Sequence, residues 1–130
     1  MSPGAPRILL VDDEPSLLKM MSVYLQRQGY AVSTAASTHD ASALATASPH
    51  EFAVAVLDAS MEGLSMQDLA LQLLRGDPRL RVIAASGYPL DMTAIQSEAP
   101  GRVMFLHKPF VPEMLAEAVG RMIASQEEGL

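Results

Sequence analysis

Apolar and polar positions come in alternating blocks along this chain. Short apolar runs recur at Ile8–Val11, Ala31–Ala35, Phe52–Leu57, Arg81–Ala85 and Val103–Leu106. Their starts are spaced by roughly twenty to thirty residues, the length of one strand-plus-helix unit. The first, third and fourth runs are apolar throughout, the pattern of strands covered on both faces. Between them lie stretches with helical spacing. Leu17, Leu18, Met21, Tyr24 and Leu25 form a stripe behind Pro15, and Gly29 supplies a stop. Ser65 and Asp68 have the spacing of a capping box ahead of Leu69, Ala70, Leu73 and Leu74. Pro112 opens a last helix carrying Leu115, Ala118, Val119 and Met122. A weakly patterned alanine-rich helix is expected over about His39–Ala47 and a short one over about Asp91–Ser97, stopped by Pro100-Gly101.

This alternation predicts an α/β fold: a doubly wound, five-stranded parallel sheet between two helical layers, a three-layer sandwich with right-handed crossovers. Residues 7–124 form its single domain. Met1–Pro6 reads as a loose arm and Ser125–Leu130 as a fraying tail. With 130 residues, 49% of them hydrophobic, the chain can bury a core of common size. Fifteen acidic against nine basic residues give −6 at pH 7, which disfavours direct contact with nucleic acid or an anionic membrane. The absence of cysteine excludes thiolate metal sites and cysteine nucleophiles. No apolar run approaches the ~18 residues of a membrane span, and a cytoplasmic location is the expectation.

Ligands of open parallel sheets bind beyond the carboxyl ends of the strands. The residues delivered there are Asp12, Asp13 and Glu14 after the first run and Asp58 at the end of the third. Ser86 and Gly87 follow the fourth run, and His107, Lys108 and Pro109 the fifth. Like charges ~4 Å apart repel by about 4 kcal/mol at an effective dielectric near 20. Such a cluster calls for a cation, and oxygen donors select a hard one such as Mg²⁺. Carboxylates, Mg²⁺, an ammonium and a hydroxyl are the equipment of phosphoryl transfer, in which a carboxylate can itself be the nucleophile. Taken singly, the same residues have plainer uses. Asp12 or Asp13 can cap a helix, Ser86-Gly87 can make a turn, and Phe105 can fill the core. Lysine is scarce, Lys19 being the other one beside seven arginines, and a compact ammonium suits a point contact to phosphate.

The strings ILLVDDEP, the lone Asp58 closing the third strand, AASG and FLHKPF, in that order, resemble the receiver domain of two-component response regulators, over about Arg7–Ala124. The resemblance implies the flavodoxin-like (βα)5 fold of chemotaxis-type regulators. It also implies a signalling module rather than an enzyme, one that takes a phosphoryl group from a kinase phosphohistidine in a Mg²⁺-dependent reaction. By the same resemblance Asp58 is the acceptor. Asp13 ligates Mg²⁺ directly, Asp12 largely through water, and the main-chain carbonyl of Ser60 completes the protein ligands beside Asp58. Lys108 pairs with phosphoryl oxygens, Ser86 is the switch hydroxyl and Phe105 the aromatic that follows it. Pro109 stands where the family often has a cis bond. Ser60 and Tyr88 occupy positions that set aspartyl-phosphate lifetime. Implied partners are a histidine kinase or phosphotransfer protein and a downstream protein that binds the fourth and fifth units. SGYP and FLHKPF look most like receivers attached to hybrid histidine kinases.

One departure is Glu62, where the family commonly has proline. It bears on the alternative of a pseudo-receiver that binds partners without phosphorylation. A Mg²⁺-dependent phosphohydrolase of the haloacid-dehalogenase type would place a second aspartate two residues after the first, where Ser60 stands. A flavodoxin-like cofactor carrier would need a donor-rich loop where Asp12-Asp13-Glu14 stands.

Overall fold

The computed structural model describes residues 4–59 and 65–128. Five strands, β1 (Arg7–Val11), β2 (Ala31–Ala35), β3 (Val54–Asp58), β4 (Arg81–Ser86) and β5 (Val103–His107), alternate with five helices. The helices are α1 (Pro15–Arg27), α2 (Thr38–Ala47), α3 (Met66–Gly76), α4 (Thr93–Glu98) and α5 (Pro112–Glu128). The strands form one parallel sheet in the order β2-β1-β3-β4-β5. The strand–helix alternation predicts this parallel sheet, and the strand order is the flavodoxin-like one that the family resemblance implies.

Period-two alternation along the central strands builds two cores. Leu9, Val11, Ala55, Leu57, Val82 and Ala84 face Ala41 of α2, Leu69 and Leu73 of α3, and Ile95 of α4. Ile8, Leu10, Val54, Val56 and Ile83 face Leu18, Met21 and Leu25 of α1 and Leu115, Val119 and Met122 of α5. Both faces of β1, β3 and β4 are therefore covered, and β3 and β4 are buried throughout. The edge strands β2 and β5 are half exposed. Phe105 shows the consequence. It is half-buried on edge strand β5, outside both cores, with its ring edge-on to His107 at 6.2 Å.

Local signals set the element ends. Pro15 opens α1 behind Glu14, and Gly29 follows it at φ +98°, a conformation that costs glycine little. The Ser37 and Ser65 hydroxyls accept from the backbone N–H groups of Asp40 and Asp68, both at 3.0 Å. Helix α5 runs on to Glu128, past the expected end at Ala124. Ser125-Gln126-Glu127-Glu128 contains no helix breaker, and the first glycine is Gly129. Arg102 ties the start of β5 to the end of α3, its guanidinium donating to the carbonyls of Leu74, Asp77 and Leu80.

Ser65 fixes the start of α3 just beyond the segment that follows Asp58. Ser65→Ala is expected to lower stability by about 1 kcal/mol, while Ser65→Asp keeps most of it. Equal losses in urea denaturation of the two variants would contradict the capping role.

Candidate functional site

The strand order reverses between β1 and β3, because the chain leaves β1 for β2 on one side and returns to β3 on the other. The crevice at this reversal is where open α/β sheets bind ligands. Register places the acids there. Val11 lies beside Leu57 and Asp58 beside Ala85, so Asp12 and Asp58 leave neighbouring strands at nearly the same level. Ser86 lies beside His107 on the next pair, which carries Lys108 to the same edge.

Asp12, Asp13 and Asp58 each offer a carboxylate oxygen, and the three oxygens lie within 4.8 Å of one another. Asp12 and Asp58 are only 3% and 4% exposed, whereas Asp13 faces solvent. The Lys108 ammonium sits 3.2 Å from Asp58 Oδ1 and 3.5 Å from Asp12 Oδ2. The other oxygen of Asp12, Oδ1, accepts from the Glu14 backbone N–H at 3.0 Å. Asp12 thus orders the entry to α1 and faces the ammonium at once, so its plain and its chemical uses coincide.

Burial pushes the Asp12 carboxyl above its usual value. The Glu14 N–H opposes this, the Asp58 charge adds to it, and Lys108 opposes it again, with a net upward shift. For Lys108, burial acts to lower the pKa, but the charges of Asp12 and Asp58 outweigh it and hold the ammonium above its usual range. Three carboxylates facing one ammonium leave a net charge of −2. The donor set is hard oxygen, two members are held by the fold, and one side opens to water. These features fit a Mg²⁺ ion that keeps part of its water shell.

Ser86 is 2% exposed. Its hydroxyl donates to the Tyr88 carbonyl at 2.8 Å and accepts from the Tyr88 N–H at 3.1 Å, so the loop backbone engages it. The Lys108 N–H donates to the Ser86 carbonyl at 2.7 Å, and the Lys108–Pro109 peptide is cis. Tyr88 is 51% exposed. Ser60 and Glu62 lie outside the described residues. One feature had no signal in the chain because it is assembled across elements. An open groove of about 460 Å³ beside Lys108 is lined by Glu14, Leu17, Gly87, Pro109 and Phe110.

The crowded charges make a stability prediction. Asp12→Asn keeps an oxygen for the Glu14 N–H and removes one charge. In chelator at neutral pH it is expected to melt about 2–5 °C above the unaltered protein by calorimetry. Because folding raises the Asp12 pKa, the folded state binds this proton more readily than the unfolded one. The unaltered protein therefore regains relative stability as pH falls through the raised value, and the gap narrows. A variant melting at or below the unaltered protein, or a gap widening toward acid, would contradict the repulsion.

Comparison with known proteins accords with this geometry. Residues 8–120 match the family of response regulator receiver domains. The chain is 34% identical over 129 residues to the C4-dicarboxylate transport transcriptional regulatory protein DctD of Pseudomonas aeruginosa, covering 95% of this chain and 27% of that protein. It is 32% identical over 124 residues to the sensor kinase CckA of Brucella abortus, covering 95% of this chain and 13% of that protein. The chain spans about a quarter of the length of the first curated relatives it matches. Among solved structures, a response regulator receiver domain protein from Clostridium thermocellum superposes with a TM-score of 0.83 at 26% identity. That superposition covers 96% of this chain and 99% of that one. A receiver domain protein from Methanospirillum hungatei also gives 0.83, at 25% identity, covering 97% and 99%. The expected kinship with kinase-attached receivers is represented by the sensor kinase, beside several transcriptional regulators. Among the described residues no helix is long and apolar enough to cross a membrane. With the acids at the strand reversal and the lysine beside them, the chain belongs to the response regulator receiver domains of two-component signalling systems.

Proposed function

We propose that this domain accepts a phosphoryl group on Asp58 from the phosphohistidine of a kinase or phosphotransfer protein, in a Mg²⁺-dependent reaction that changes its affinity for a downstream protein. The observation that carries this reading is the Lys108 ammonium 3.2 Å from Asp58 Oδ1 inside a group of three carboxylates. Asp58 is buried at the end of a fully covered strand, which holds its carboxylate in one place for attack on phosphorus. As the Asp58 O–P bond forms, the P–N bond of the donor breaks. Lys108 binds the phosphoryl oxygens and compensates the charge on Asp58. Asp12, Asp13, Asp58 and the main-chain carbonyl of Ser60 are the residues that would hold Mg²⁺. The ion would supply neutralisation of the phosphoryl oxygens and in-line orientation.

Transfer places a dianionic group at the mouth of the site. The Ser86 hydroxyl then exchanges its two bonds to Tyr88 for a bond to the phosphoryl group, and Phe105, half exposed on the edge strand, follows it inward. The surface that changes is that of the fourth and fifth βα units, where a downstream protein docks. By the family resemblance, Ser60 and Tyr88 are the residues that set the lifetime of the aspartyl phosphate. The phosphodonor is a cytoplasmic partner, and the module signals without turning over a substrate.

Intact mass spectrometry after incubation with acetyl phosphate tests this reading. The expected result is a gain of one phosphoryl group with Mg²⁺, absent with chelator and absent in Asp58→Asn. No adduct, together with no spectral response to beryllofluoride, would identify a pseudo-receiver instead. An adduct retained in Asp58→Asn would place the acceptor elsewhere.

A further inference from the structure

The groove adjoins the acid cluster through Lys108, which lines it and whose ammonium contacts Asp58 and Asp12. Its walls are Leu17 on α1, Gly87 after β4, and Pro109 with Phe110 after β5. Glu14 also lines it. Glu14 occupies the N-cap position of α1, yet its side chain makes no capping hydrogen bond. Its backbone N–H serves Asp12, and the residue is exposed. A largely apolar groove with one acidic residue in its lining, beside the lysine that contacts the acceptor, suits a flat ring bearing an N–H and positive charge.

We infer that this groove is the subsite for the leaving imidazole of the phosphoryl donor, with Glu14 accepting a hydrogen bond from the ring nitrogen distal to phosphorus. This deepens the proposed function and rests on it. The chemistry balances without a further reactant. The donor reacts as its N-phosphoimidazolium form, with a proton on the distal nitrogen. An Asp58 oxygen bonds to phosphorus while the P–N electron pair returns to the ring, and neutral imidazole departs with its proton in place. Glu14 favours the protonated ring and holds its plane in the groove, and a charge-assisted bond of this kind is among the stronger hydrogen bonds. A donor whose leaving group is a small carboxylate makes no such bond, and its negative charge is repelled by Glu14. The subsite therefore selects among donors by the chemistry of the group that leaves.

The test compares two small donors, N-phosphoimidazole and acetyl phosphate, each with Mg²⁺, by intact-mass time courses on the unaltered chain and on Glu14→Gln. Glu14→Gln is expected to lower the ratio of the phosphoimidazole rate to the acetyl phosphate rate by about fivefold or more. Removing a negative charge is expected to raise the acetyl phosphate rate, and far-UV circular dichroism reports that the variant is folded. An unchanged ratio, with both donors reacting, overturns the subsite and leaves the phosphoacceptor reading standing. If the unaltered chain takes a phosphoryl group from neither donor, the acceptor reading fails and the subsite with it.

Discussion

The repulsion among the carboxylates gathered at one end of the sheet is the constraint to which the rest of the molecule answers. Two of them are almost fully buried, where water screens least and like charges oppose each other most. The fold tolerates this arrangement because Lys108 lies between Asp12 and Asp58 and because the Glu14 N–H donates to Asp12. One ammonium against three carboxylates leaves a charge deficit that a divalent cation can fill. Burial is the first cause of the raised Asp12 pKa, and the Asp58 charge adds to it.

The sheet creates this situation through register rather than through any long-range contact of the acids. Parallel pairing of β1 with β3 sets Asp12 and Asp58 level, and β4 with β5 brings Ser86 and Lys108 to the same edge. Moving either pairing by one residue would exchange the side chains that the strands present to the two cores, so the cores that hold the sheet also hold the site. Loop backbone engages the Ser86 hydroxyl, which both donates to and accepts from Tyr88.

Much of this was legible in the chain because it depends on local rules. Apolar runs bounded by helix signals place the strands within a residue or two, and Pro15, Gly29, Ser65 and Pro112 mark helix ends. Asp12, Asp13, Asp58 and Lys108 converge because each ends a strand of a parallel sheet. What escaped depends on neighbours distant in sequence. Phe105 reads as a core residue from its run, but β5 is an edge strand and leaves it half exposed. Arg102 looks like a surface cation, yet its guanidinium collects carbonyls from the end of α3. The groove at Glu14 combines residues from three parts of the chain, none of which carries a pattern alone. Helix α5 outruns its expected end because its tail lacks a breaker, and apolar periodicity is silent about polar helical turns.

The central claim is that the acid cluster is built to receive a divalent cation as the precondition for chemistry at Asp58. The most direct measurement is an amide-resolved NMR titration of the unphosphorylated domain with MgCl2. The account predicts saturable shifts centred on residues 12, 13, 58, 59 and 108, with affinity weakened by about tenfold or more in Asp13→Asn. Shifts that rise linearly without saturation into the tens of millimolar range, or that are unchanged by Asp13→Asn, would contradict it.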